Sequence, residues 1–410
     1  MINPPAIYTL ICAHSPQSAK LIELLNIKGH ETRIIGGAIR NALLHQPITD
    51  IDMATTLLPD AVIKLAQKSG LKTIPTGLAH GTVTIILDKI PFEVTTLRQD
   101  IETNGRHAKV SFTRSFETDA LRRDFTVNAL SMDQAGKIYD YTNGLNDLEK
   151  QSIRFIGDPV QRIKEDYLRI LRFFRFSATH GNGKLDTPAL DACLSERQGI
   201  AALSLERIGH EMRKWLTAKY AFETIETISS TDLIDLILGV TVNYSAFQAL
   251  KNAEKNIKSE PSFIRSLAAL SLPHHNAAKK LQSSLKLSNR DYDALQAIHS
   301  NIQKYTINDE TSELQFKQII YKTGAPAFSD WLLLSASERP ELIKMGIALA
   351  QNWPIPKNPF SGEYFIKRGL IAGPQLGNIL KQAEKAWIEH GFTTNPDVLD
   401  RIGKDVIHKL

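Results

Sequence analysis

Apolar residues fall in two textures along the chain. Between Arg33 and about Asp147 they form short runs rich in Val, Ile and Thr. RIIGG, TDIDMAT, TVTIIL and PFEVTTL predict strands there, with DKIP turning the last two into a hairpin. Among them, AIRNALLHQ predicts a short helix starting directly after the glycines, and LPDAVIKLAQKSG predicts another. An earlier helical pattern, SAKLIELLNIKG, is closed by Gly29. Beyond Asp158-Pro159 the strand texture stops. PVQRIKEDYLRILRFFRFSATHG predicts one amphipathic helix with Pro159 near its start and Gly181 at its end. Helical patterns such as LIDLILGV, FIRSLAALSL and GNILKQAEKAWIEHGF continue to Leu410. The expected fold class is α+β, with a head over residues 1–150 built on a small, mostly antiparallel sheet. A helical neck over 151–220 and a helical body and tail over 221–410 would follow.

Composition narrows the class. With 42% hydrophobic and 23% charged residues, the 410-residue chain reads as ordinary soluble protein of several domains. It has no apolar run long enough to span a membrane, so no membrane partner is expected. The N-terminal MINPPAIYTLICAHSPQSAK lacks the pattern of a secretory leader. The two cysteines, Cys12 and Cys193, lie far apart and form no CxxC, which argues against a disulfide framework or zinc site and for a reducing, cytoplasmic location. The net charge is +5, of which residues 151–220 alone carry +4, from twelve Lys/Arg against eight Asp/Glu. Such a zone suits a polyanion, and equally a solvated helix surface.

Four clusters carry candidate chemistry. In a strand, Asp50 and Asp52 would project side by side, a repulsive pair unless a cation or buried partners compensate it. Hard oxygen ligands of this kind suit magnesium; an isolated DxD is more often a cap or a strand end. Gly36-Gly37 before a helix lets backbone amides approach an anion, with Arg40 within one turn, although such a doublet is usually only a tight turn. Glu93 alternates with Phe92 and Val94 and would be a third carboxylate or a plain solvent-facing residue. In DALRRDFTVNALSMD, Arg122, Arg123, Asp124 and Asn128 are suited to phosphate and sugar oxygens, or to a structural salt-bridge cluster. In EDYLRILRFFRF, Asp166, Arg169, Arg172 and Arg175 recur every three residues, drifting about 60° per step around a helix. Asp166 and Arg169 can pair with each other, present donors and an acceptor to a base edge, or form a solvated face.

The order of these fragments, GGAIR, DID, EVTTLR, RRDFTVNAL and GDPVQRIKEDYLRILRFFRF, closely resembles the class II tRNA nucleotidyltransferase and poly(A) polymerase family, the CCA-adding enzymes. The clear likeness covers roughly residues 30–180, with a weaker one near the C-terminus. It implies template-independent nucleotidyl transfer to the 3′ end of tRNA from CTP and ATP, with magnesium held by Asp50 and Asp52 and Glu93 as the third carboxylate. It further implies that Gly36, Gly37 and Arg40 hold the triphosphate and that Arg123 and Asp124, supported by Asn128, lie near the ribose and phosphates. Asp166 and Arg169 would read the base, with Arg172 and Arg175 completing the nucleotide site. The stretch between Arg98 and Ser115, centred on NGRHAKV, matches the mobile loop such enzymes use near the primer end. This chain has Asn41 where the family usually has aspartate, which weakens a supporting pair with an arginine and predicts altered nucleotide affinity. Poly(A) polymerase and split CC-adding or A-adding enzymes are alternatives within the fold. A catalytically inactive RNA-binding protein is the alternative of another class, and the intact Asp50 and Asp52 argue against it.

Overall fold

A computed structural model describes residues 4–104, 107–273 and 276–408. The described chain divides into two compact units, one of residues 1–242 with 279–287 and one of residues 243–278 with 288–410.

The first unit opens with two helices, α1 (Pro4–His14) and α2 (Pro16–Leu25), with Pro16 at the start of the second. The SAKLIELL pattern thus ends at Leu25, short of the Gly29 expected to close it: Asn26 leaves helical angles (φ −83°, ψ 71°), and its Oδ1 accepts from Thr32 N at 2.6 Å. Next come β1 (Thr32–Ile35), α3 (Gly37–Leu43), β2 (Asp52–Thr55) and α4 (Pro59–Lys68). These are followed by β3 (Lys72–Gly77), β4 (Thr82–Leu87) and β5 (Ile90–Thr96). A separate two-stranded ribbon comes next, β6 (Arg98–Asn104) with β7 (His107–Phe112). It occupies the stretch centred on NGRHAKV, of which Gly105 and Arg106 lie outside the described residues. After it come α5 (Phe116–Leu121), β8 (Ser131–Met132), β9 (Ile138–Tyr139) and α6 (Gly144–Glu149).

The main sheet has the order β3-β4-β5-β2-β1-β8-β9, antiparallel except where β2 runs parallel to β5, as the mostly antiparallel expectation requires. Two registers within it bring glycines and acids together. Ile35 faces Asp52 across β1 and β2, so the glycine doublet leaves the sheet beside Asp52. Met53 faces Val94 across β2 and β5, which sets Asp52 and Glu93 next to each other on neighbouring strands.

The long helix expected from Pro159 to Gly181 is two helices, α7 (Pro159–Glu165) and α8 (Leu168–His180). Asp158 caps the first by accepting from Gln161 N at 2.8 Å. The chain then breaks at Asp166, which takes extended angles (φ −158°, ψ 105°). An aspartate side chain competes with the helix for local amides, and Asp166 Oδ1 accepts from Leu168 N at 3.1 Å. The following Tyr167 lays its ring on Gly199, where an added Cβ would come within 2.0 Å of ring carbons. The helical spacing continues across the break, which is why periodicity alone does not reveal it. Two more helices, α9 (Thr187–Ser195) and α10 (Leu205–Leu216), complete the neck.

Head and neck share one aromatic core. Phe125 lies 4.9 Å from Phe155 and 5.4 Å from Phe176 by ring centroids, and Phe173 stacks on Phe155 at 5.9 Å. From Ala221 to His408 the described structure is helical throughout. The second unit contains a buried ionic cluster in which Arg265 bonds Glu254 at 2.7 Å and Asp330 at 2.8 Å. It also holds an aromatic core around Phe360, Phe365, Trp387 and Phe392. No helix among the described residues is long and apolar enough to cross a membrane.

Gly144 controls how closely α6 approaches the turn that carries Asn128. A Cβ there would stand 2.3 Å from Thr126 C=O, a backbone atom that cannot step aside. Gly144→Ala should cost about 1–3 kcal/mol of stability. Urea denaturation checks this, and an unchanged midpoint would show that the turn yields freely.

Candidate active site

An open cavity of about 310 Å³ is lined by Gly36, Gly37, Arg40, Asp52, Arg123, Asp124, Asn128, Arg172 and Phe176. Eight of the thirteen residues expected from sequence therefore line one cavity. Gly36 turns the chain out of β1 with φ +65°, a left-handed conformation that favours glycine. A Cβ there would also press on Asn128 C=O at 3.3 Å and the Arg123 guanidinium at 3.6 Å.

The arginines around this cavity differ in how their charge is met. Arg123 donates to Asp119 at 2.9 Å, and Arg122, which does not line the cavity, donates to the same carboxylate at 2.6 Å. Arg172 is paired with Asp124 at 2.6 Å and Arg175 with Glu211 at 2.5 Å. Arg40 is buried, and its side-chain partners are neutral amide oxygens, Asn128 Oδ1 and Asn41 Oδ1. Burial, and then the positive charge of Arg175, lower its pKa to about 10, so at neutral pH it remains a cation. Asn128 passes the contact on by donating to Asp124 at 3.2 Å. Burial alone would raise the Asp124 carboxyl. The Arg172 charge and hydrogen bonds from Asn128, Arg172 and the Phe125 amide outweigh it and hold the pKa at about 2.

The carboxylates stand at the edge of β2 and β5. Asp52 opens β2, and Asp50 lies just outside the strand rather than in it as TDIDMAT suggested. The alternation survives: Ile51 and Met53 are buried while Asp50 and Asp52 are exposed. Glu93 is exposed between buried Phe92 and Val94. The Asp52 carboxylate is reached by solvent yet recessed in the surrounding protein. That desolvation, with Glu93 and Asp50 adding repulsion, raises its pKa to about 6. The site is short of positive charge where the acids meet, and Asp50 and Asp52 offer hard oxygen donors. Among the described residues, no group of three or more His, Cys, Asp and Glu side chains forms a ready metal cage. A pair of carboxylates nevertheless fits magnesium, which keeps waters and takes further ligands from phosphate.

Asp166 and Arg169 do not pair with each other. Because the chain breaks at Asp166, its Oδ2 accepts from Arg207 on α10 at 2.7 Å. Arg169 instead donates to Glu165 at 2.6 Å and to Arg162 C=O at 2.7 Å. Neither lines the cavity, and neither do Asp50, Glu93 or Arg175. Several participants were missed in the sequence. Phe176 lies beneath three guanidinium groups, 4.0 Å from Arg175, 5.2 Å from Arg40 and 5.3 Å from Arg172. Its place in the apolar face of α8 gave no sign of this. Arg207 and Glu211 come from a helix some forty residues away, which no local spacing reveals. Asp119 was legible, being three and four residues before Arg122 and Arg123.

His180, one turn beyond Phe176, is buried with Nδ1 at 2.8 Å from Gln46 Oε1. Burial, with Arg40 and Arg175 nearby, lowers its pKa to about 2. An unfolded histidine titrates near about 6.5, so below that pH the unfolded chain takes up a proton the folded one refuses. Stability should fall as the pH drops from about 6.5. His180→Gln should flatten this decline in urea midpoints between about pH 7 and pH 5; parallel declines would exclude His180 as its source.

Comparison with known proteins gives a consistent result. Residues 32–154 match the model of the poly A polymerase head domain. The human protein CCA tRNA nucleotidyltransferase 1, mitochondrial, is 34% identical over 388 residues, covering 92% of this chain and 88% of the relative. The CCA-adding enzyme of Leuconostoc citreum is 29% identical over 403 residues, covering 95% and 96%. The crystal structure of Bacillus stearothermophilus CCA-adding enzyme in complex with CTP shares the fold, with a TM-score of 0.74 at 24% identity over 100% of this chain and 99% of that one.

Proposed function

From the premise that the chain belongs to the class II tRNA nucleotidyltransferase and poly(A) polymerase family, as a CCA-adding enzyme, we propose that it builds the CCA end of tRNA from CTP and ATP at this cavity. The observation that carries the reading is that unmet charge of both signs lines it. Arg40, a buried cation with amide partners only, lines it beside Gly36 and Gly37. Asp52 lines it too, and repulsion from Glu93 and Asp50, which do not line it, adds to the desolvation of its carboxylate. A magnesium–triphosphate complex supplies the missing charge of each sign, phosphate to the arginine and cation to the acids.

In this reading Asp50 and Asp52 would hold magnesium, with Glu93 as the third carboxylate; the bound ion would supply activation of the RNA 3′-hydroxyl and offset charge on the phosphates. Gly36, Gly37 and Arg40 seat the triphosphate, and Arg123 and Asp124, supported by Asn128, seat the sugar and phosphates. Asp124 also keeps Arg172 turned to the cavity wall. Asp166 and Arg169 read the base, for which both must exchange their present partners, Arg207 and Glu165, for the nucleotide edge. Arg175 supports Phe176 under the site. Residues 1–150 form the catalytic head and 151–220 the base-reading neck. Residues 221–410 hold tRNA, through shape and phosphate contacts. A cytoplasmic location is part of this reading; the human relative is mitochondrial by name.

The test is extension of tRNA transcripts ending before CCA, after C and after CC, with CTP, ATP or both. All three should reach one full-length CCA end with the wild type and stay unextended with Asp52→Ala. Arrest at CC, or extension of the CC-ended transcript alone, would replace this reading with a split activity; long A tails on unrelated RNA would replace it with poly(A) synthesis. Arg40→Ala should lower kcat/KM for CTP about a hundredfold, the scale of losing one charged donor at a transferring group. A change under about threefold would remove Arg40 from the triphosphate site.

A further inference from the structure

Asn41 follows Arg40 on α3, and the two ends of its amide meet different partners. Its Oδ1 accepts from Arg40 Nε at 3.1 Å and from Nη2 at 2.8 Å. Its Nδ2 donates to Pro47 C=O at 2.8 Å. Pro47 belongs to the segment from Leu44 to Ile51 that leaves α3 and leads to Asp50 and Asp52. That segment has little regular structure of its own and turns through His45 with φ +54°, a conformation unfavourable for a non-glycine residue. It must be held from outside.

Further ties complete the hold. Gln46 N donates to Asn41 C=O at 2.8 Å. The Gln46 side chain reaches α8, its Oε1 accepting from His180 Nδ1 at 2.8 Å and its Nε2 donating to Thr179 C=O at 3.5 Å. Among these contacts the side chain at 41 has a double requirement: an acceptor toward Arg40 and a donor toward Pro47. An amide meets both. An ionised carboxylate of the same size meets the first and sets an oxygen without a proton against the Pro47 carbonyl, a contact that repels.

We propose that Asn41 is a positioning residue that fastens the carboxylate-bearing segment to the arginine beside the glycine turn, with Gln46 as its second anchor on α8. The catalytic consequence rests on the reading of Asp50 and Asp52 as metal ligands; the fastening itself does not. Position 41 thereby affects the acids as well as the arginine. Its effect on catalysis is carried by the segment between them and not only by the charge beside Arg40.

Hydrogen exchange of the free full-length protein, followed by mass spectrometry, tests the fastening without nucleotide or metal. In Asn41→Asp and in Gln46→Ala, peptides covering Leu44–Ile51 should exchange about tenfold faster than in the wild type, while those of β1 and the C-terminal half of α8 stay within about twofold. Gln46→Ala leaves Arg40 and its partners in place, so its steady-state constants separate the two effects. Its kcat with CTP should fall about tenfold with KM changed by less than about twofold. Wild-type exchange of Leu44–Ile51 in Asn41→Asp would overturn the proposal, even if KM for CTP rose. Faster exchange with an unchanged kcat in Gln46→Ala would also overturn it as a positioning device. Activity retained in Asp52→Ala would instead refute the metal-ligand reading, with the exchange result standing on its own.

Discussion

Everything at this site depends on a charge imbalance that the folded chain does not resolve by itself. Arg172 and Arg175 enter the protein with Asp124 and Glu211 beside them, and Arg123 is matched by Asp119. Arg40 is buried without such a partner, and its pKa is lowered to about 10 as a consequence. On the adjoining strands Asp52 is raised to about 6 by desolvation, Glu93 and Asp50. Burying like charges without neutralising them is unfavourable, and chains tolerate it where a ligand supplies the missing charge. The two imbalances have opposite sign and meet at one cavity, because Ile35 and Asp52 share a register across β1 and β2. A ligand bearing both phosphate and a divalent cation satisfies them together.

The neck is part of that arrangement. The head supplies the glycine turn and the acids, but Asp124 is held down at about 2 largely by Arg172 from α8. Phe125, next to Asp124, packs in the same aromatic group as Phe155, Phe173 and Phe176. Shifts of α8 relative to the head are therefore coupled to the cavity through a salt bridge and an apolar core together. The apolar contact fixes distance and the ionic one fixes orientation. Removing Asp124 or Arg172 would leave its partner's charge unmatched near Arg40.

The sequence carries much of this and withholds the rest for identifiable reasons. Strand alternation puts Asp50 and Asp52 on one face and Glu93 opposite Phe92 and Val94, and the structure agrees, with Asp50, Asp52 and Glu93 exposed and Phe92 and Val94 buried. The glycine doublet before a short helix was legible because positive φ selects glycine. Two-residue strands such as Ser131–Met132 are too short to leave a periodic signal. The break at Asp166 was hidden because apolar spacing runs through it, and only the Asp166–Leu168 hydrogen bond and the Tyr167 contact with Gly199 reveal it. Arg207 and Glu211 meet their partners across 41 and 36 residues, beyond any local pattern.

Asn41 shows how far residue-by-residue reasoning reaches and where geometry must take over. Considered as a change of charge, asparagine for aspartate weakens a pair with arginine and nothing more. In the folded chain Arg40 still finds two hydrogen bonds on that oxygen, so the pairing persists in neutral form. What the amide adds is a proton directed at Pro47, on the far side from the arginine. Keeping Arg40 unneutralised and fixing the approach to Asp50 are then served by one substitution. The first preserves positive charge for an anion, and the second limits the freedom of the acids opposite it. A site that gains its affinity from unresolved charge needs both, since mobile acids could turn back toward the arginines and cancel the imbalance.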